Sequence, residues 1–371
     1  MNFLIPINLF FSLTISFTIV YFMIPHIIKA AKMKNLFAVP NERSASKNII
    51  PTLGGIAILA GFIISVIISS DSFSIDQVKY LIAAVITMFI VGLNDDILGS
   101  TAKRKLMLEL PMALFLVILG NFRLTNFHGI FGINEINYFT GVIFSVIAIV
   151  GIINAFNLID GIDGLAAGVG IIISVAYGIW FLRFGDFLFA LTCFSLTGSL
   201  CAFFLFNVFG TTNKIFMGDT GSLIVGTIVS VLTIHFNEFF PSSDFPEHGL
   251  PAISLAIMIV PIIDTLRVFI IRIKHKKSPF SPDMNHIHHQ LLQLTGSHLK
   301  ASGVILVLNS LIILLAYNLI GLIGNYTLFI LLLTLGFLLA NLPSWILKFR
   351  ALKVSGINNP QSGGELQQLK E

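Results

Sequence analysis

The first charged side chain in this sequence is Lys29, so residues 1–28 form one long uncharged stretch. Stretches of this kind recur along the chain. A helix needs about 20 predominantly apolar residues to cross a hydrocarbon core of about 30 Å. On that measure eleven candidate spans are present, at 2–24, 53–69, 78–93, 106–122, 139–156, 165–182, 187–209, 223–239, 250–271, 303–320 and 326–347. The fourth is the weakest, because it carries Glu109 and Pro111. Only 11% of the 371 residues are charged and 56% are apolar, against about 25% charged in an ordinary soluble domain. A soluble enzyme and a disordered chain are thereby excluded. A transmembrane barrel needs alternating segments of about ten residues, and none is seen. The fold class is an all-α polytopic membrane protein of about 11 transmembrane helices. Residues 1–28 lack the positive flank of a secretory signal and read as a retained span. Cys193 and Cys201 are eight residues apart on one span. On a helix that spacing is about 12 Å, too far for a disulfide.

The placement of charge sets an orientation. Of the 22 lysines and arginines, 18 fall in one set of loops and the tail, Lys79, Arg123 and Arg183 are the 3 in the other set, and Arg267 lies near a span end. By the positive-inside rule the N-terminus faces outward and the C-terminal tail lies in the cytoplasm. A net charge of +4 distributed this way is membrane anchoring, with no nucleic acid as partner. Residues 1–350 read as a single integral membrane domain. Residues 351–371 are polar, contain Gly363-Gly364, and read as a disordered tail. Residues 123–138, with Gly129 and Gly132, suggest a short hairpin lying on the membrane.

Against this background the acids stand out, since ionisable groups near spans are functional candidates. Asp95 and Asp96 end the third span, Asp160 and Asp163 follow the fifth, Asp219 precedes the eighth and Asp264 lies in the ninth. The charge-derived orientation puts all six at the cytoplasmic leaflet. So many aspartates cannot ionise together without cations. Hard oxygen ligands with no cysteine point to Mg²⁺ or Mn²⁺, which takes one or two carboxylates plus phosphate oxygens and water. Asn154 and Asn157 extend the polar face of Asp160 along a helix. Gly218-Asp219-Thr220-Gly221-Ser222 is a glycine-flanked helix start, a ready phosphate site. Asp264 has an ordinary alternative as the i, i+3 partner of Arg267. His286, His288 and His289 lack a cysteine or glutamate to complete a zinc site, and phosphate contact suits them better. Lys103-Arg104-Lys105 reads as an anchor, or as a holder of an anionic lipid head group. His235, near Glu238, reads as structural.

At these residues the sequence resembles the polyprenyl-phosphate N-acetylhexosaminyl-1-phosphate transferase superfamily. The motifs run from Pro40 to Gly296. They comprise Asp95-Asp96, an Asn-x-x-Asn-x-x-Asp-Gly-x-Asp-Gly-Leu run from Asn154 to Leu165, Gly-Asp-x-Gly-Ser from Gly218 to Ser222, and His286-Ile287-His288-His289-Gln290-Leu291. The last resembles the O-antigen and teichoic-acid initiator branch; lipid I translocases carry three successive histidines instead. Pro40-Asn41-Glu42-Arg43 and Pro51-Thr52-Leu53-Gly54-Gly55 follow the superfamily's first loop. Ala38 and Ser46 depart from its usual Asp and His.

The resemblance implies transfer of N-acetylhexosamine 1-phosphate, N-acetylglucosamine by default, from a UDP-sugar to undecaprenyl or another polyprenyl phosphate. UMP is released at the cytoplasmic face of the bacterial plasma membrane. It implies Asp95, Asp96, Asp160 and Asp163 as catalytic acids, with Asp219 and Asp160 as metal ligands. Asn154, Asn157, Lys105, Asp264, His286, His288, His289 and Arg43 are the implied substrate contacts. A lipid I-forming translocase is the alternative within the superfamily. A cation-coupled transporter is the alternative outside it, disfavoured because transporter sites sit near the midplane between repeats. A CDP-alcohol phosphotransferase is excluded, since no arginine follows Asp163-Gly164. The sequence leaves the oligomeric state, homodimer included, open.

Overall fold

A computed structural model describes residues 4–34, 50–70, 73, 75–239, 250–278 and 283–357. Arg43, Ala38 and Ser46 lie outside the described residues, as does the tail from 358 on. The architecture is all-helical. Every predicted span is a helix: α1 (Leu4–Lys34), α2 (Gly54–Ser69), α3 (Val78–Leu98), α4 (Ala102–Ile118), α5 (Tyr138–Ile159), α6 (Leu165–Phe184), α7 (Phe187–Phe209), α8 (Gly218–Glu238), α9 (Leu250–Ile257) with α10 (Ile259–Lys274), α12 (His298–Ile323) and α13 (Asn325–Ile357). A short helix, α11 (Ile287–Thr295), carries the histidines.

Eight of these helices are long and apolar enough to cross a membrane, and α9 with α10 makes a ninth if counted as one span. The two expected spans outside that set are the shortest, α2 with 16 residues and α4 with 17. The ninth predicted span is broken: α9 and α10 meet at an angle of 78°. Pro261 in the first turn of α10 has no N–H to give the carbonyl of Ile257, and its ring crowds that carbonyl.

The bundle is built around α8, buried along most of its length, with Thr227, Ser230 and Thr233 returning their hydroxyls to the helix backbone. Helices α2, α3 and α5 pack on it. Close approach is bought by small residues. A Cβ at Gly92 on α3 would sit 2.5 Å from the Thr220 Cα, and one at Gly55 on α2 would sit 2.4 Å from the Gly221 nitrogen. The start of α2 is also tied to the chain entering α8 by Gly54 N–H to Phe216 O (3.0 Å) and Gly55 N–H to Met217 O (3.2 Å).

At the opposite end of α8, residues 123–137 fold back on themselves. A single antiparallel bridge joins Asn126 to Glu135, and a 3₁₀ turn at Ile130–Gly132 forms the tip. The expected hairpin is therefore present as one bridge. His235 pairs with Asp186 (2.7 Å) and stacks on Phe189, while Glu238 accepts from Thr125. The boundary drawn after residue 350 falls inside α13, which continues to Ile357. Cys193 and Cys201 are both free thiols on α7.

Candidate active site

Four chain segments bring their acids to one end of the bundle. Asp95 and Asp96 sit in the last turn of α3. Asp96 meets the start of α8, where its carboxylate accepts from the backbone N–H of Asp219 (2.9 Å) and Thr220 (3.0 Å) and from the Thr220 hydroxyl (2.5 Å). A carboxylate placed there satisfies orphan amides and complements the helix dipole. Gly218 makes the approach feasible with φ +71°; a Cβ there would lie 2.1 Å from Thr52 O and 2.7 Å from Asp96 Oδ2. The start of α8 is therefore already occupied by Asp96 at two of its amides. Asp96 acts as its cap, and the expected phosphate seat on this helix end is taken.

Asp95, 9% exposed, accepts from Ser100 (2.5 Å) and pairs with Lys105, which also reaches Asp219 at 3.0 Å. Lys105 can do this because α4 starts at Ala102, capped by Thr101, and so carries Lys105 on its first turn. The basic run is part of that helix and points one ammonium into the acids. Asn157 donates from Nδ2 to both Asp219 and Ser222, fixing the Asp219 side chain from the α5 side. Asn154 turns the other way and donates to Glu109 on α4 and to Val150 O (2.9 Å). Glu109 is fully buried, and one of its oxygens has no hydrogen-bond partner among the described residues.

Beyond α5 the chain turns through Asp160 to Gly164 and enters α6. Asp163 pairs with Lys214 (2.6 Å) and His298 (3.3 Å). Burial opposes its ionisation, but these two partners outweigh it and hold the carboxyl below its ordinary value. Asp160 is half-buried and has no hydrogen-bond or ion-pair partner among the described residues. Burial, with Asp219, Asp96 and Asp163 around it, pushes the Asp160 carboxyl up to about 8. Lys105 and Lys214 are both engaged by other acids. Asp160 thus lacks compensation that only a further cation, or a proton, can supply. The donor atoms here are hard oxygens with no sulfur, a set that fits Mg²⁺ or Mn²⁺.

The histidines lie alongside. His286 and His288 are 4% and 1% exposed, and only His289 keeps an open face. Asp264, 2% exposed, accepts from His286 Nδ1 and from the Ile287 N–H, both at 2.9 Å. The Arg267 guanidinium goes instead to Asn285 O, Gln290, Asn341 and Ser344, so the i, i+3 pair with Asp264 is not made. Asp264, His286 and His288 were expected at the substrate; all three are buried, and Asp264 and His288 line an apolar cavity of about 230 Å³ between α10, α12 and α13.

Sequence reasoning passed over Lys214, His298, Ser100 and Glu109 as site residues. Each meets its acid or amide partner through the fold, across 5 residues for Ser100 and 45 to 135 for the others. No local spacing announces the three long-range pairs.

A multi-pass helical bundle with a carboxylate cluster of this kind at one end defines a class, the membrane-embedded glycosyl-1-phosphate transferases. A family model described as glycosyl transferase family 4 matches residues 78–237. An undecaprenyl-phosphate alpha-N-acetylglucosaminyl 1-phosphate transferase of Haemophilus influenzae is 31% identical over 261 residues, 68% of this chain and 71% of that protein. The Yersinia pestis protein of the same name is 29% identical over 307 residues, 81% and 80% of the two chains. That of Escherichia coli K12 is 29% identical over 272 residues, 71% of each. The chain belongs to glycosyl transferase family 4.

Proposed function

We propose that the protein transfers N-acetylhexosamine 1-phosphate, N-acetylglucosamine 1-phosphate by default, from a UDP-sugar to undecaprenyl phosphate. The product is a sugar-pyrophosphoryl-lipid that initiates a cell-surface polysaccharide. The observation that carries this is Asp160, an uncompensated carboxylate beside Asp219 in a cluster whose lysines are already engaged. The names of the relatives point to the same acceptor. The bacterial relatives favour a bacterial plasma-membrane enzyme, and the split of positive charge favours this face toward the cytoplasm.

In the reaction a phosphate oxygen of the lipid attacks the β-phosphorus of the donor. The bond from that phosphorus to the bridging oxygen breaks, and UMP leaves with the electron pair; the sugar C1–O bond stays intact. Such transfers rest on positioning and charge neutralisation. Asp160 and Asp219 would hold a divalent cation, which when bound offsets charge on the diphosphate and on departing UMP. Lys105, kept in place by Asp95 and Asp219, presents an ammonium to the phosphates. Asp96 fixes the start of α8 and hence Asp219, and Asn157 fixes the Asp219 rotamer. His289 is the histidine free to contact the diphosphate.

The test is UMP release by purified protein given undecaprenyl phosphate, Mg²⁺ and a panel of UDP-N-acetylated sugars. Release with UDP-N-acetylglucosamine and dependence on the lipid are expected. A protein that releases no UMP with any donor is not this enzyme, and ion-coupled transport becomes the reading to pursue.

A further inference from the structure

The segment carrying the histidines is fastened to α10 along its length. Asp264 holds His286 and Ile287, Arg267 holds Asn285 and Gln290, and Arg272 makes a two-pronged pair with Asp283 at 2.9 and 3.2 Å. The outer nitrogen of His286, Nε2, lies 3.4 Å from Arg272 Nη2. A guanidinium only donates, so Nε2 accepts and the ring proton sits on Nδ1, where it is given to Asp264. Two residues on, His288 is 1% exposed and neither ring nitrogen has a hydrogen-bond partner among the described residues; its Nδ1 stands 4.0 Å from Asp264 Oδ2, beyond hydrogen-bond reach. It is packed instead against the acid loop: a Cβ at Gly161 would lie 2.2 Å from His288 Nε2. Gly161 directly follows Asp160. His288 therefore stands between α10 and the loop that bears the uncompensated carboxylate.

We infer that Asp264 is a positioning residue for the transfer reaction, acting through His286 to seat His288 against Gly161 and so to place the Asp160–Asp163 loop, without touching substrate itself. The inference rests on the transferase reading above. Donor atoms of Asp264, His286 and His288 do lie within 4.8 Å of one another, close enough to share a metal ion. The Arg272 guanidinium on the far side of His286 and the Nδ1–H to Asp264 hydrogen bond both favour a metal-free pair.

Asp264→Asn keeps the shape and reverses the bond. Its amide would donate to Nδ1, driving the proton to Nε2, where it would meet the Arg272 donor. The expected result is a fall in kcat of up to about 100-fold, the cost of misplacing a reacting group by about 1 Å. The donor KM should stay within about twofold, since no binding contact is lost. The double variant Asp264→Asn/His286→Ala should be no slower than His286→Ala alone, because Asp264 acts through that ring. Amide exchange over residues 160–164 should quicken in Asp264→Asn and in His286→Gln, which cuts the same bond from the other side. The exchange measurement needs no turnover, so it stands even if wild type releases no UMP and the transferase reading falls. Multiplicative losses in the double variant, or a raised donor KM in Asp264→Asn, would assign Asp264 to the substrate and overturn the inference. So would unchanged exchange in both single variants. One equivalent of a transition metal per chain in the purified protein, lost in Asp264→Asn, would overturn it in favour of a metal site.

Discussion

Asp160 and Lys105 both border Asp219, yet their electrostatic situations are opposite. Lys105 has two carboxylates, and Asp160 has no counter-charge among the described residues. A carboxyl with a folded pKa near 8 binds a proton that the unfolded chain has released above its ordinary 3.8. Its contribution to stability is therefore lost as pH rises from about 4 to about 8. A divalent cation competes with that proton. Mg²⁺ should raise the melting temperature more at pH 8.5 than at pH 6.5 and should release a proton on binding, seen by calorimetry in buffers of different ionisation enthalpy. Asp160→Asn should abolish both effects and turnover while keeping a cooperative melt. Asp160 itself was legible in the sequence, because glycines and a second aspartate flag its loop. Lys105 was expected as a substrate contact or an anchor, but its pairing with Asp95 and Asp219 was not legible, since its run looks like any anchor until Thr101 starts α4 and sets its direction. Glu109 was masked in the same way: it meets Asn154 from 45 residues away, and on its own it only weakened a span.

Among the elements, α8 and the turn of α3 that caps it carry most of the organisation. Asp96→Asn leaves one oxygen to serve three donors and removes the charge at the helix start. It should lower stability by about 1–2 kcal/mol, the scale of a lost cap plus dipole term, measured by thermal or denaturant melting in detergent. Gly92→Ala pushes a methyl to 2.5 Å from the Thr220 Cα. Forcing α3 from α8 should cost about 1–3 kcal/mol and lower kcat, because Asp95 and Asp96 ride on α3. Helix existence was readable from hydropathy at every span. The break between α9 and α10 was not, because hydropathy is continuous through Met258 and Pro261 acts only through backbone geometry.

For the whole molecule, one end gathers acids from α3, α8, α10 and the turn after α5. Their partners are contributed by α4, α11, α12 and the α7–α8 connection. The sequence located the acids and their common side through charge placement alone. It did not reveal which acid caps, which pairs and which stays uncompensated, since contacts such as Asp96 to Thr220 join residues 124 apart. Sidedness has its own test. A cysteine at Lys300 should react with a membrane-impermeant maleimide in inverted vesicles and not in intact cells, and one at Phe131 should do the reverse. The same pattern for both positions would contradict the orientation.

The central claim, that this acid cluster moves a sugar together with its phosphate, is tested by following the β-phosphorus. With UDP-N-acetylglucosamine labelled at that atom, the label should pass into undecaprenyl lipid with one UMP released per lipid formed. Label left in water-soluble UDP, with sugar alone on the lipid, would contradict the account.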